Sequence, residues 1–234
     1  MWGELTPAEW TAILLSIKVG FWSVAGGLPV AFGLAWLLAR RSFPGKLMLD
    51  AVIHLPLVLP PVVTGYLLLL AFGKTGPAGR WLNDWFGVSV MFRWTGVALA
   101  AAVMALPLMV RAMRLSIEAV DRRLEVAART LGSSPLRTFA EVTLPLALPG
   151  IIAGAVLGFA RSIGEFGATI TFVSNIPGET QTLPLAIHNA LQLPGGDAVV
   201  LRLSLISIVL SLGALVASEM LARRSLRGRV AHVL

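Results

Sequence analysis

Five long apolar stretches constrain this chain more than any other feature of its sequence. A hydrocarbon layer about 30 Å thick is crossed by roughly 20 apolar residues of helix, and each stretch is close to that length or longer. Only 13% of the residues are charged and the mean hydropathy is +0.82, which excludes an ordinary soluble domain. We predict one all-α transmembrane domain over residues 1–234, a helical bundle with five spans: Thr11–Ala39, Met48–Phe72, Trp94–Val110, Leu146–Phe172 and Ala198–Leu221.

The basic residues that give the chain its net charge of +7 lie mainly beside the ends of alternate spans. Clusters follow the first, third and fifth spans, whereas Glu4 and Glu9 precede the first. By the positive-inside rule the clusters face the cytoplasm. We therefore predict an N-terminus outside, a C-terminus inside and no binding of nucleic acid. The clusters are Arg40, Arg41 and Lys46; Arg111, Arg114, Arg122, Arg123, Arg129 and Arg137; and Arg223, Arg224, Arg227 and Arg229.

The second span and the segment after it contain features that disturb helix geometry. Pro56, Pro60 and Pro61 predict a first half that is kinked or partly unwound, which must be covered by protein or line a cavity. His54 has two interpretations, a packing residue or a proton or anion contact. The polar, glycine-rich segment Gly73–Phe92 is predicted to be an external loop with tryptophans at the membrane interface.

Residue types that would support catalysis are too sparse to form a site. Gly73-Lys74-Thr75 resembles the tail of a P-loop, but that motif needs an earlier glycine, where Leu68 stands, and a strand before the loop. His54, His188 and His232 are widely separated and are not matched to acidic clusters. We predict no catalytic residue, no metal site and no ATPase site in this chain.

The segment after the third span predicts a pair of helices outside the membrane. Apolar residues recur at helical spacing from Leu115 to Leu131, so we expect the third helix to continue beyond its span. Gly132 suits a left-handed C-cap, and Ser134-Pro135 supplies an N-cap and a first-turn proline for a second short helix. Such a pair either lies on lipid headgroups or docks against a partner.

The order of small and apolar residues in this loop favours a partner. Val126-Ala127-Ala128, then Gly132, then Val142-Thr143-Leu144-Pro145 resembles the EAA signature of ABC importer permeases, although Val126 replaces the family's glutamate and Glu125 lies one residue earlier. The resemblance implies a MetI-like permease fold, in which coupling helices at about 121–145 sit in a groove of a separate ATP-binding cassette subunit. The coupling residues it implies are Glu125, Val126, Ala127, Ala128, Gly132, Leu136, Phe139, Leu144 and Pro145.

The fourth predicted span contains a polar stretch that is costly at membrane depth. Arg161 and Glu165 are four residues apart and therefore share a helix face. They either form an internal ion pair that only stabilises the bundle, or lie on the translocation path, where Arg161 balances the charge of a passing oxyanion. The candidate path residues are Arg161, Ser162, Gly164, Glu165, Gly167 and Thr169.

A narrower resemblance covers most of the second half of the chain. Ala160–Thr171, Phe172–Thr180 and Leu193–Asp197 are similar to the molybdate/tungstate permease family, which is related to sulfate/thiosulfate permeases. The resemblance implies a homodimer in a prokaryotic inner membrane, with two ATPase subunits that bind ATP and Mg, a periplasmic or extracellular molybdate-binding protein, and no cofactor in this chain. Three residues of the external loop either contact that protein or have no role beyond the loop: Asn175, Thr180 and Gln181.

Two alternative functions are compatible with the same residues. A sulfate/thiosulfate permease would have the same fold and the same loop. A secondary anion transporter would instead use Arg161, Glu165 and His54 as an ion or proton relay. Such transporters often contain inverted repeats, and the sequence shows no convincing internal repeat.

Overall fold

The computed structural model describes residues 5–230, without the side chains of residues 217–219 and 221–230. Glu4, His232 and the side chains of the C-terminal arginine cluster lie outside the described residues. Helices account for every regular element within the described part. In chain order these are α1 (Pro7–Arg40), α2 (Lys46–Val58), α3 (Pro61–Phe72), α4 (Pro77–Phe86), α5 (Trp94–Glu118), α6 (Arg122–Thr130), α7 (Pro135–Thr138), a π-helical turn (Phe139–Thr143), α8 (Leu144–Ile163), α9 (Gly167–Val173), α10 (Leu183–Leu191) and α11 (Asp197–Val230).

Four helical segments among residues 5–230 are long and apolar enough to cross a membrane. They are α1, α5, the continuous helix Pro135–Ile163 and the part Asp197–Val216 of α11. A fifth crossing results if α2 and α3, which meet at a bend of 116°, count as one broken span. The predicted all-helical transmembrane bundle is confirmed, and the sidedness of the termini stays a prediction.

The central helix α5 packs closely against α8 because α8 presents a stripe of glycines to it. A Cβ atom at Gly158 would lie only 2.6 Å from Met109 Sδ, and one at Gly154 would lie 3.1 Å from Met113 Cε. Both methionines are fully buried. Small residues at a spacing of four are a common basis for close helix contact in membranes. The stripe consists of Gly150, Gly154 and Gly158.

A buried ion pair connects the first helix to the last. At the start of α1, Thr6 Oγ1 accepts a hydrogen bond from the Glu9 N–H at 3.3 Å, and Glu9 Oε2 accepts one from the Thr6 N–H at 2.7 Å. Glu9 Oε1 also accepts from Arg202 Nε of α11 at 3.0 Å. Glu9 is therefore a buried contact between two helices, in addition to any influence on topology.

The helix of the third predicted span, α5, does not continue to Leu131, contrary to the prediction from periodicity. It ends at Glu118, and Asp121 begins the separate helix α6 by accepting a hydrogen bond from the Arg123 N–H at 2.9 Å. An interruption of about one helical turn leaves the apolar residues at nearly helical spacing, so periodicity could not reveal the break.

The predicted fourth span, Leu146–Phe172, is also wrong as a single helix. The helix that starts at Pro135 ends at Ile163, and α9 begins at Gly167 after a short break. Hydropathy does not detect this break because the sequence remains largely apolar on both sides of it.

The break at Pro60 and Pro61 agrees with the prediction for the second span, but α2 continues as a helix through Pro56 to Val58. The external loop is more ordered than predicted. Pro60 is the N-cap of α3 and Pro61 its first residue, so the chain turns sharply between α2 and α3. The predicted loop Gly73–Phe92 contains the helix α4. Residues Gly73–Gly76 form a turn between two helices, which differs from the strand, loop and helix of a P-loop.

Candidate functional site

The turn between α6 and α7 is closed by backbone hydrogen bonds around a glycine. The Ser133 N–H donates to the Ala128 carbonyl, and the Gly132 N–H donates to the Arg129 carbonyl, both at 3.1 Å. This is the Schellman arrangement of a helix end. Gly132 has φ +92°, in the left-handed region, and a side chain there would meet nothing within 4 Å. Backbone conformation, not space, therefore requires glycine, and the predicted C-cap is confirmed.

The second helix of the loop begins as predicted but continues into the membrane-spanning helix. Ser134 Oγ accepts a hydrogen bond from the Arg137 N–H at 3.3 Å and so caps α7. The π-helical turn then joins α7 to α8, with the Leu144 N–H bonded to the Phe139 carbonyl five residues earlier. Pro145 has no N–H and cannot extend an ordinary helical ladder, which accounts for the wide turn before it.

Glu125 joins three elements at the base of the loop. Its Oε1 atom accepts hydrogen bonds from Arg40 Nη2 and from Thr143 Oγ1, each at 2.7 Å. Arg40 is the last residue of α1, and Thr143 is the last residue of the π turn. Because both the donor Arg40 and the acceptor are charged, their hydrogen bond is of the strong class. Glu125 thus makes polar contacts that an apolar side chain at Val126 cannot make.

Phe139 packs against α1 beside this junction. Its ring centroid lies 5.0 Å from that of Trp36 and 6.1 Å from that of Phe32, both in edge-on geometry. Such aromatic pairs add to the stabilisation from burial. The guanidinium of Arg40 also lies 5.5 Å from the Trp36 ring. Phe139 therefore fixes the π turn to the end of α1 within this chain.

Several other residues of the predicted coupling set face outward. Val126 is 59% exposed and Leu136 is 78% exposed, while Ala127 is exposed and Ala128 is half-buried. Leu131, which the sequence reasoning did not select, is 89% exposed. Exposed apolar side chains grouped on one loop mark a surface suited to a partner. The signal for Leu131 was its position directly before the C-cap glycine.

Replacing Glu125 with alanine should loosen this loop. We expect faster amide hydrogen exchange in α6 and transport reduced about tenfold, because a charged hydrogen bond contributes about 1.5–3 kcal/mol and Arg40 would lose its partner. Hydrogen-exchange mass spectrometry and vesicle uptake measure the two effects. Glu141→Ala is the matched control, since the Arg137–Glu141 pair is mostly exposed and should contribute only about 0–1 kcal/mol. Equal behaviour of the two variants would contradict the role of Glu125.

The polar stretch 161–169 lies at the break between α8 and α9. Arg161 Nη2 and Glu165 Oε2 form an ion pair at 2.7 Å, although Glu165 lies in the break after α8, so the two residues do not share a helix face as predicted. Glu165 Oε1 accepts a hydrogen bond from the Ala168 N–H at 2.8 Å, in the first turn of α9. Glu165 is 3% exposed, whereas the Arg161 side chain is 26% exposed. The carboxylate is therefore held inside the protein, whereas the Arg161 side chain is partly exposed.

Two breaks in the helical ladder meet at this point. A Cβ atom at Gly167 would lie 2.8 Å from Pro61 Cβ, so the start of α9 touches the start of α3. A Cβ atom at Gly65 would lie 2.5 Å from the Ala168 carbonyl oxygen, so the two helices stay close one turn further. Interrupted helices at membrane depth occur where protein covers them or where they line a cavity. The paired breaks are thus the candidate site for gating.

Other predicted path residues have different surroundings. Ser162 is buried against α1, where its Oγ atom accepts a hydrogen bond from Ser23 Oγ at 2.7 Å. Thr169 is fully buried, and its Oγ1 atom has no hydrogen-bond partner within the described part of the chain. Gly164 is exposed at the C-cap of α8. Ser162 therefore contributes to helix packing, and Thr169 lies in the interior.

His54 has a local partner away from the Arg161–Glu165 pair. Its Nδ1 atom lies 2.9 Å from the Asp50 carbonyl oxygen, and Asp50 Oδ1 accepts a hydrogen bond from Arg114 Nη1 at 3.1 Å. These contacts connect α2 to α5 and agree with the packing interpretation. No described contact links His54 to Arg161, as an ion or proton relay would require.

Two of the three external-loop residues considered as contacts with a binding protein are buried. Thr180 Oγ1 accepts from the Ile176 N–H at 2.8 Å and donates to the Ser174 carbonyl at 3.0 Å, which closes a turn. Gln181 is 9% exposed, and Asn175 is half-buried. Thr180 and Gln181 are therefore poorly placed to contact an external protein, because their side chains face the interior.

Besides Leu131, sequence reasoning missed three residues of these two sites. Arg40 was assigned only to the topological charge pattern, and Thr143 only to the spacing of the signature. Pro61 was recognised as a helix breaker but not as a neighbour of Gly167. A polar threonine within an apolar run was the available signal for Thr143, whereas nothing local identified the partners of Arg40 and Pro61.

The chain matches the family model described as binding-protein-dependent transport system inner membrane component over residues 27–227. The molybdenum transport system permease protein ModB of Escherichia coli K12 is 59% identical over 221 residues, which cover 94% of this chain and 96% of that protein. The sulfate transport system permease protein CysT of the same organism is 39% identical over 187 residues, covering 79% of this chain and 65% of that protein.

The fold is similar to a solved structure of the MetNI methionine ABC transporter in an inward-facing conformation. The TM-score is 0.67, with 93% of this chain and 94% of that chain covered. The identity of 16% means that the likeness concerns the fold alone. It confirms the predicted MetI-like helical bundle.

Proposed function

Because this chain belongs to the family of binding-protein-dependent transport system inner membrane components, we propose that it is the permease subunit of an ATP-binding cassette importer for molybdate. The observation that carries the proposal is the 59% identity to ModB over 94% of the chain. The sulfate permease CysT is more distant at 39%, which favours molybdate over sulfate. Tungstate, an oxyanion of the same shape and charge, belongs to the same substrate class.

The proposed assembly is a homodimer of this chain in the inner membrane of a prokaryote. Two cassette ATPase subunits bind ATP and Mg, and an external binding protein delivers the anion. The family's dependence on a binding protein supports the last of these partners. The exposed apolar residues Val126, Leu131 and Leu136 support docking of the ATPase subunit at the loop. In this assembly the chain provides the path for the anion across the membrane and binds no nucleotide or cofactor.

Continuity of one helix connects the loop to the paired breaks. The helix Pro135–Ile163 has 29 residues and is therefore about 43 Å long. It begins at the turn around Gly132 and ends at the break next to Arg161 and Glu165. A displacement of the loop by the ATPase subunit would move the whole helix and reach that break. The contacts of Glu125 and Phe139 would transmit the same displacement to α1.

Arg161 is the residue that we assign to the passing anion. Its side chain is partly exposed, and the carboxylate of its partner Glu165 also accepts a hydrogen bond from the Ala168 N–H. A single positive charge that is already paired attracts an oxyanion without binding it tightly, and weak binding permits release. Selection of the anion then rests mainly on the binding protein.

Transport by reconstituted vesicles tests this function. We expect molybdate uptake only when the chain, the ATPase subunit, the binding protein and ATP are all present, and no ATP hydrolysis by the chain alone. Sulfate uptake should be at least about tenfold slower, a difference of roughly 1.4 kcal/mol in the barrier. Gradient-driven molybdate flux through vesicles that contain only this chain would indicate a secondary transporter instead.

A further inference from the structure

Two buried hydroxyl groups at the paired breaks make no hydrogen bond. Thr64 of α3 is 5% exposed, and Thr169 of α9 is fully buried. The Oγ1 atom of each has no hydrogen-bond partner among the residues that the structure describes. Buried hydroxyl groups are nearly always hydrogen-bonded, and one that is left unsatisfied destabilises the conformation that buries it. The packing of α3 and α9 is therefore destabilised at both positions.

The breaks themselves account for the missing partners. A threonine inside a helix can donate to the carbonyl four residues earlier, as Thr171 does to the Gly167 carbonyl at 2.9 Å. Thr64 and Thr169 lie among the first four residues of α3 and α9, so for each the residue four positions earlier precedes the helix. A carbonyl outside the helix does not have the position of a helical acceptor. The two hydroxyl groups thus lack partners because both helices begin at a break.

Thr64 lies on the side of α3 that packs against α9. The buried residues of α3 are Thr64, Gly65 and Leu68. Leu68 belongs to the same core cluster as Ala168 of α9, and a Cβ atom at Gly65 would lie 2.5 Å from the Ala168 carbonyl oxygen. Thr169 follows Ala168 directly in the chain. A separation of α3 from α9 would therefore admit water at the contact beside both threonines.

We propose that Thr64 and Thr169 favour opening of the path, because their hydroxyl groups gain hydrogen bonds to water when α3 separates from α9. The two groups form no ligand site in the closed packing. They destabilise that packing relative to an open one, and so set the ratio of open to closed molecules. The inference rests on the proposed function only in requiring a path that opens at the paired breaks.

An introduced thiol measures this opening directly, since the sequence contains no cysteine. Leu68→Cys places the thiol in the buried contact, where a water-soluble methanethiosulfonate reagent reaches it only when α3 and α9 separate. The labelling rate is measured on the chain assembled with its ATPase subunits, with ATP and without molybdate. In this background Thr64→Val/Thr169→Val should slow labelling at least about tenfold, because each unsatisfied hydroxyl changes the equilibrium about fivefold or more.

Thr171→Val is the matched control, because it removes a hydroxyl group from the same helix that already has a partner. It should change the labelling rate less than about twofold. Thr64→Ser/Thr169→Ser retains both hydroxyl groups and should also stay within about twofold. Thr64→Val/Thr169→Val should in addition raise the melting temperature of the permease by at least about 2 °C, since it removes two unsatisfied groups.

Equal labelling rates with and without the two valines, or equal slowing by Thr171→Val, would overturn the proposal. A lower melting temperature or a loss of folded protein in Thr64→Val/Thr169→Val would overturn it too, because the hydroxyl groups would then stabilise the closed packing. Labelling requires no molybdate, so the proposed function can fail separately. If labelling changes as expected while the wild type takes up no molybdate, the inference stands and the proposed substrate is wrong.

Discussion

Arg161→Gln is expected to reduce ATP-driven molybdate uptake more than about tenfold and to lower the amount of folded permease. The substitution leaves the carboxylate of Glu165, which is 3% exposed, without its counter-charge. Removing one partner of a buried ion pair typically costs about 3–5 kcal/mol. Uptake per folded molecule, with the folded fraction measured by size-exclusion chromatography, separates the loss of protein from the loss of transport.

The variant Arg161→Gln/Glu165→Gln distinguishes passage from stabilisation. It contains no unpaired charge, and glutamine at position 165 can still accept the hydrogen bond from the Ala168 N–H. We expect near-normal amounts of folded protein but uptake still about tenfold below the wild type, because the anion would have no positive charge to pass. If uptake returns together with folding, the pair only stabilises the bundle.

A second ion pair at the same spacing supplies the control. Arg114 and Glu118 on α5 lie 2.8 Å apart with side chains 27% and 40% exposed. Because Arg114 also pairs with Asp50 at 3.1 Å, the control variant is Asp50→Asn/Arg114→Gln/Glu118→Gln, which leaves no charge of this group unpaired and lies at a site with no role in the proposed passage. We expect its uptake to remain within about twofold of the wild type, because partly exposed pairs contribute only about 0–1 kcal/mol.

Gly132→Val is expected to reduce coupled uptake more than tenfold while the protein inserts and folds normally. A residue with a side chain costs about 1–2 kcal/mol in the left-handed region, and β-branched residues are the least tolerant. The cost stays local because a side chain at this position would meet nothing within 4 Å. The turn would adopt another conformation, and α6 and α7 would lose their relative orientation. Uptake should fall more than tenfold, with ATP hydrolysis by the assembled complex no longer tied to it.

Asparagine at the same position provides the matched comparison for Gly132→Val. Asparagine adopts left-handed backbone more readily than other residues with side chains. Gly132→Asn adds polar bulk at the same place but should retain most of the uptake. Normal uptake by the valine variant, or equal losses in both variants, would count against a requirement for this backbone conformation.

Local rules predicted the turn between α6 and α7 well. Gly132, Ser134 and Pro135 each act through the backbone of their immediate neighbours, so their effects can be recognised without the rest of the fold. The same applies to Pro60 and Pro61, whose effect on α2 and α3 was expected. The break before α6 was missed because the apolar spacing passes through it nearly unchanged, although Asp121 was a recognisable N-cap.

The contacts of the Glu125 carboxylate could be found only from the tertiary structure. The sequence showed Glu125 one residue before the usual position and could not show what it touches. Its partner Arg40 is 85 residues away along the chain. Thr143, the second partner, approaches only because the π turn follows α7 without a break. These contacts depend on how α1 packs beside the loop, which no local pattern encodes.

The apolar stretches by themselves determined that this chain is a helical membrane protein, because lipid leaves the backbone few ways to satisfy its hydrogen bonds. The sequence also determined the C-cap at Gly132, whereas it left the ion pair between Arg161 and Glu165 as one of two alternatives. Only the tertiary structure decided that the breaks at Pro61 and Gly167 meet, and that one helix runs from the loop to that meeting point. Hydropathy records how apolar each segment is, whereas these features arise from contacts between segments that are far apart in the sequence.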